Sequence, residues 1–287
     1  MDLGGRARAD TAPHGWERWF LADLNCLRHP VQLLCLPHAG GSASSYRDWM
    51  AGLTSDVDVL PVQLPGRENR MREPCAASMH ELVGGLVSAV RLAGFRRIAL
   101  FGHSLGAVVA LKACEALERA GMGVGHLFVS GHPGPARIPV RNTLRMAEAD
   151  DELLLLAMDG LDNALTGRLA DAELQAMILP VVRSDLRMLA GCPLGSERIE
   201  TPVTVIGGAS DPLLADQDLA SWAALTSGGC DVHWLKGDHF YLAADPAALT
   251  RIVRERLTPG TSHGLRPPGP LRRTRVIGPA GRGTPQE

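Results

Sequence analysis

At 287 residues the chain is longer than a small domain needs and within reach of one large α/β domain with insertions. Hydrophobic residues make up 45% and charged residues 21%, which argues against a disordered or fibrous polypeptide and for a substantial buried core. The formal net charge of -2, from 29 Lys and Arg against 31 Asp and Glu, argues against a nucleic-acid binder, which carries a clustered basic surface.

The opening residues Met1-Asp2-Leu3-Gly4-Gly5-Arg6 are polar and lack the apolar centre of a signal peptide, and no later apolar run approaches the length of a bilayer span. A cytoplasmic monomer that uses neither membrane nor nucleic acid is expected. The six cysteines form no CxxC pair and several sit in apolar segments, so buried free thiols are expected rather than disulfides or a zinc site.

Short apolar runs rich in β-branched residues, the length of buried parallel strands, alternate with helical patterns. The first, Val31 to Leu36, leads into Leu36-Pro37-His38-Ala39-Gly40-Gly41-Ser42, a small, glycine-rich turn suited to bringing a backbone N–H against a substrate. The second, Val57 to Leu64, precedes Arg67, Arg70 and Arg72, which read either as a basic steering surface or as a solvated charged loop. The third, Arg97 to Phe101, runs into Gly102-His103-Ser104-Leu105-Gly106. Leu105 to Ala120 follows as a helix that Gly121 stops.

Strand, tight turn and helix are the context of a nucleophile elbow. The two glycines permit close backbone approach, and the Ser104 hydroxyl is thrust out at the carboxyl edge of the sheet. The helix N-terminus beneath it favours the negative charge that develops during attack. A fourth run, Leu127 to Ser130, completes a right-handed parallel crossover.

Between Pro133 and Pro202 the rhythm breaks. Asp150 or Asp151 is placed to cap a leucine-rich stretch through Met158, and Asp171 to Leu189 reads as one or two amphipathic helices. An all-helical insertion between two strands, about 133–200, has the character of a lid. Leu153 to Leu156, Met158, Met177, Ile178 and Met188 suit either an apolar channel beneath it or ordinary helix packing.

Serine is a weak nucleophile at neutral pH and needs a base and an orienting acid, which in an α/β-hydrolase follow in the order Ser, acid, His. The Val203 to Gly207 strand ends in Gly208-Ala209-Ser210-Asp211-Pro212, and the Val232 to Leu235 strand in Lys236-Gly237-Asp238-His239-Phe240. Asp211 and His239 therefore fall on the sheet edge that carries Ser104. Asp216, Asp218 and Asp238 are rival acids, with Asp238 disfavoured because a neighbour of His239 cannot easily turn back to its ring. His38 and His103 read as loop-packing residues. For the oxyanion, the Leu105 amide and one from the early turn, that of Ala39, are the expected donors. Neither metal nor nucleotide is needed to close such a cycle.

Residues 259–287 contain six Gly, six Pro and five Arg with almost no apolar periodicity, and are expected to be disordered. Five arginines against Glu287 give this tail +4, leaving 24 basic and 30 acidic residues, or -6, on 1–258. One catalytic domain over 1–258 is therefore mildly acidic.

The motifs Leu36-Pro37-His38-Ala39-Gly40-Gly41, Gln63-Leu64-Pro65-Gly66-Arg67-Glu68, Gly102-His103-Ser104-Leu105-Gly106-Ala107 and Gly237-Asp238-His239-Phe240-Tyr241-Leu242, in this order, resemble the type II thioesterases that accompany polyketide and nonribosomal peptide synthases. Leu179-Pro180-Val181-Val182-Arg183-Ser184-Asp185 is similar to that family's lid. The likeness spans about Trp16 to Leu257 and departs at Asp238, where the family usually has glycine. It implies an α/β-hydrolase fold and hydrolysis of acyl groups from the phosphopantetheine arm of an acyl or peptidyl carrier protein, clearing stalled or aberrant units. In that scheme His239 is the base for Ser104, Asp211 holds the ring tautomer, and the Ala39 and Leu105 amides receive the oxyanion. The carrier partner is expected to be acidic. A general carboxylesterase or lipase, and a catalytically silent hydrolase fold that binds a ligand or partner, are the competing functions. The Met start favours a discrete protein over a domain cut from a synthase.

Overall fold

The computed structural model describes residues 15–47, 52–53, 57–134, 140–161, 171–192, 198–257 and 272–274. All six expected strands form: β1 (Gln32–Leu36), β2 (Asp58–Pro61), β3 (Ile98–His103), β4 (Val124–Ser130), β5 (Val203–Gly208) and β6 (Cys230–Leu235). β2 stops at Pro61, short of the expected Leu64. The chain continues through Val62, which bridges to Phe20 in antiparallel sense.

The sheet runs β2-β1-β3-β4-β5-β6-β7, and every neighbouring pair is parallel. Its last member, β7 (Arg272–Thr274), lies within the tail for which no structure was expected and pairs with β6. The rest of that tail lies outside the described residues.

β1, β3 and β5 are buried along their whole length, because helices cover both faces, and this is why their sequences read as unbroken apolar runs. Alternation divides the core. Leu34, Leu36 and Leu100 face α1 (Met79–Ala93) and α2 (Leu105–Arg119). Leu33, Cys35, Phe101 and Phe128 face α8 (Pro246–Leu257) through Leu249, Ile252 and Val253. Ser78 starts α1 by accepting from the Glu81 N–H at 3.1 Å, and Gly94 ends it in the left-handed region at φ 68°.

The insertion between β4 and β5 contributes α3 (Val140–Glu148), α4 (Asp151–Asp159) and α5 (Ala172–Ala190). Asp150 caps α4, accepting from Leu153 N at 2.8 Å, and the stretch from Asp171 forms a single helix despite Pro180 within it. Leu154, Leu179 and Val182 make a small core of their own, joined by Leu155, Met158 and Ile178, while Met188 belongs to the main core. Leu153, Leu156 and Met177 stay exposed. Two short helices, α6 (Asp216–Ala220) and α7 (Tyr241–Ala244), follow β5 and β6.

Register aligns the carboxyl ends of the strands. Leu36 lies opposite Gly102, His103 opposite Ser130, Ser130 opposite Ile206, and Gly208 opposite Leu235. The turns after β1, β3, β5 and β6 therefore share one edge. All six cysteines are free thiols, but the expected burial holds only for Cys35, Cys114 and Cys192; Cys75 and Cys230 are half-buried and Cys26 is exposed. Among the described residues no helix is long and apolar enough to cross a membrane.

Two histidines make stability depend on pH. His126 bonds Thr204 Oγ1 through Nε2 at 2.8 Å and His132 accepts from the Gly134 N–H at 3.2 Å; burial pushes the pKa of each down to about 3. Unfolded, each returns toward 6.5 and takes up a proton that the fold refuses. Their contribution is thus complete above 6.5 and declines as pH falls toward 3. Urea unfolding should show a loss on the order of 1 kcal/mol per histidine for each pH unit across about pH 6 to 4, with a shallower slope in His126→Asn. Equal slopes in the two proteins would contradict this.

Candidate active site

Ser104 occupies the turn between β3 and α2 with φ 55° and ψ -119°, a conformation costing on the order of 1–3 kcal/mol for a non-glycine residue. Between Phe101 and Ala110 it alone is not buried. Its N–H donates to Ser130 O at 2.8 Å and its carbonyl accepts from Ala107 N at 3.0 Å, which pins both sides of the turn. The flanking glycines are sterically required. A Cβ on Gly102 would lie 2.0 Å from Gly106 O, and one on Gly106 would lie 2.1 Å from Leu36 O.

Asp211 and His239 meet at this edge. Asp211 Oδ2 lies 2.7 Å from His239 Nδ1, and both residues are buried. With a carboxylate on Nδ1, that nitrogen carries the ring proton and Nε2 is left as the acceptor. Asp211 also forms its own turn, accepting from Leu213 N through Oδ1 at 2.9 Å, so one side chain fills both the turn-forming and the histidine-orienting parts. Asp238 instead accepts from Phe240 N at 2.9 Å, and Asp218 from Ala215 N at 3.1 Å. The Asp216 side chain lies outside the described residues.

The His239 ring is held by its neighbours. Its centroid lies 4.9 Å from that of His103 and 5.2 Å from that of Phe240, and a Cβ on Gly131, the residue after β4, would come within 3.3 Å of its Cε1. His103 bonds Ser130 Oγ through Nδ1 at 2.9 Å; burial holds its pKa well below the usual histidine range. A neutral ring therefore backs His239, consistent with a packing role for His103. Ser130 Oγ in turn lies 2.5 Å from Tyr241 Oη, which also donates to Ile206 O at 3.3 Å, and burial raises the Tyr241 pKa. This relay beneath the site links β3, β4, β5 and α7. Sequence alone did not reveal it, since its members are scattered polar residues with no shared motif.

The glycine-rich turn after β1 is held by contacts from two distant segments. Gly41 N donates to His38 O at 3.0 Å, and Gly40 N to Asp185 Oδ2 of α5 at 2.8 Å. Arg67 pairs with Asp185 through two bonds of 2.8 Å each, at 7% and 3% side-chain exposure. Arg70 is buried too, forked onto Glu73 at 3.0 and 2.7 Å and stacked 4.4 Å over Trp19. Neither forms a steering surface or a solvated loop, so both expectations fail for them. A guanidinium surrounded by partners can be buried, and of the three arginines Arg72 alone is exposed.

Residues 31–257 match the family model described as "Thioesterase domain". The thioesterase PikA5 of Streptomyces venezuelae is 37% identical over 215 residues, covering 74% of this chain and 75% of that protein. The RedJ thioesterase from the prodiginine pathway of Streptomyces coelicolor superposes with a TM-score of 0.72 at 32% identity, covering 82% of this chain and 88% of that one. BorB, a type II thioesterase from the borrelidin biosynthetic cluster, superposes with a TM-score of 0.70 at 33% identity, covering 79% and 92%.

Proposed function

This chain belongs to the thioesterase family, and we propose that it hydrolyses acyl groups from the phosphopantetheine arm of acyl or peptidyl carrier proteins, clearing aberrant or stalled units in polyketide or nonribosomal peptide biosynthesis. The observation that carries the reading is the buried Asp211–His239 pair at 2.7 Å on the sheet edge where Ser104 stands in a strained, glycine-flanked turn. Its α/β-hydrolase architecture supplies that edge. Six free thiols fit the cytoplasm as its compartment, and a monomer suffices because one chain supplies every residue named below.

In this scheme Ser104 Oγ attacks the thioester carbonyl carbon while His239 Nε2 takes its proton and Asp211 stabilises the resulting imidazolium. The oxyanion is received by the amide of Leu105, the first residue of α2, whose N–H has no partner within the helix. The second donor belongs to the early turn. We assign it to the Ala39 amide; the Gly40 and Gly41 amides are already engaged there. Collapse of the tetrahedral adduct breaks the C–S bond, and His239 returns the proton to the departing thiolate. Water, deprotonated by His239, then attacks the acyl-serine, and the acid leaves as Ser104 regains its proton.

Acetyl- and propionyl-loaded carrier proteins assayed beside a p-nitrophenyl ester test the substrate class. The expected kcat/KM favours the carrier thioesters by at least about tenfold. Turnover of the simple ester alone would replace this reading with a general esterase.

A further inference from the structure

The Arg67–Asp185 pair joins residues 118 apart in sequence, at the place where the inserted helix α5 meets the turn after β1. Contact there is tight: a Cβ on Gly40, at φ 72°, would lie 2.4 Å from Val182 Cγ2 and 3.7 Å from Ile178 Cγ2. Ile178, Val182 and Asp185 stand four and three residues apart, on one face of α5. Asp185 accepts from Gly40 N, and Arg67 Nη1 donates to Gly41 O at 3.0 Å as well as to Asp185. Gln63 adds a brace, accepting from Ala43 N at 3.0 Å and donating to Arg67 O at 2.9 Å.

A peptide plane is rigid, so whatever orients the His38 carbonyl also orients the Ala39 N–H. That carbonyl accepts from Gly41 N, and Gly41 is held through its own carbonyl by Arg67. From Asp185 to Ala39 the path is thus short, three hydrogen bonds joined through the Gly41 backbone and the His38–Ala39 peptide plane.

We infer that Asp185 is a positioning residue for the reaction: seated on α5 and paired with Arg67, it fixes the turn that aims the Ala39 N–H at the oxyanion, and so couples the inserted helix to transition-state stabilisation. This rests on the Ser104 and Ala39 roles proposed above. A displaced oxyanion donor weakens binding of the transition state more than of the substrate, so the loss falls on kcat.

Removing one partner strands a buried charge and endangers folding, whereas removing both leaves no unpaired charge. The test therefore compares Arg67→Met/Asp185→Leu with the single Asp185→Asn, which keeps a side-chain oxygen for Gly40. Full-length proteins are assayed on acetyl-loaded carrier protein, with active sites counted by a fluorophosphonate. Per titrated site, kcat is expected to fall roughly 10- to 100-fold in the double variant with KM within about threefold, and less in Asp185→Asn. Inhibition by a trifluoromethyl ketone analogue of acetyl-pantetheine, which mimics the tetrahedral adduct, should weaken in step. A purely structural role lowers thermal stability and the titratable fraction but leaves kcat per site at the wild-type value, and that result in the folded double variant overturns the inference. Turnover lost in Ser104→Ala but kept in the double variant overturns the coupling alone. Turnover persisting in Ser104→Ala overturns the serine reading and the coupling with it.

Discussion

Ser104→Ala should lower kcat on a carrier-bound thioester by on the order of 10⁵- to 10⁶-fold, the scale on which serine hydrolases lose rate with their nucleophile. The substitution removes one atom from a half-exposed position and keeps the same strained φ of 55°, so the melting temperature should move little. Binding of the intact acyl carrier should also survive, because in the proposed scheme the hydroxyl acts on the thioester carbonyl and not on the pantetheine arm. A variant that unfolds early would instead trace the loss to the elbow's packing. The measurement is single-turnover hydrolysis beside thermal unfolding of the same preparation.

Asp211→Asn should cost about 10⁴-fold in kcat with KM little changed. An amide presents a donor to His239 Nδ1, which flips the ring to the tautomer whose Nε2 bears the proton and cannot accept one from Ser104. The turn itself should hold. Asn retains an oxygen to accept from the Leu213 N–H, the bond that Asp211 Oδ1 makes at 2.9 Å, so the fold survives while the base is disabled. Asp238→Asn serves as the control: that carboxylate accepts from Phe240 N rather than reaching the His239 ring, and a loss within about fivefold is expected. Equal losses at Asp211 and Asp238 would contradict the orienting role.

Much of this arrangement is legible in one dimension because parallel strands covered on both faces must be apolar throughout. Val203 to Gly207 and Arg97 to Phe101 announce themselves in that way, and strand ends then locate the loops bearing Ser104, Asp211 and His239. Its place at the end of β5 favours Asp211 over its rival Asp218, and the structure pairs Asp211 with His239 while Asp218 accepts from Ala215 N. β7, by contrast, was invisible. Its three residues include two arginines, and what marks it as a strand is pairing along the β6 edge.

The fate of Arg67 depended on a partner 118 residues away, and clustering with Arg70 and Arg72 suggested solvent instead. One local signal existed. Asp185 falls in register with Ile178 and Val182 on an amphipathic helix, and a carboxylate on the buried face of a helix requires a charged or multiply donating partner. The Ser130–Tyr241–His103 relay offered no such signal: His103 and Tyr241 sit inside the Ser104 and His239 motifs, where their neighbours' chemistry draws the eye, and Ser130 ends an apolar strand.

The central claim is that Ser104 carries the acyl group between cleavage of the thioester and release of the acid. Rapid quenching during turnover of propionyl-loaded carrier protein, followed by peptide mass spectrometry, tests it most directly. The account predicts a propionyl group on the peptide containing Ser104, accumulating in His239→Ala if water attack slows more than acylation, and absent from Ser104→Ala. A propionyl group found instead on a cysteine, or sustained turnover in Ser104→Ala with no acyl-serine at any time, would contradict it.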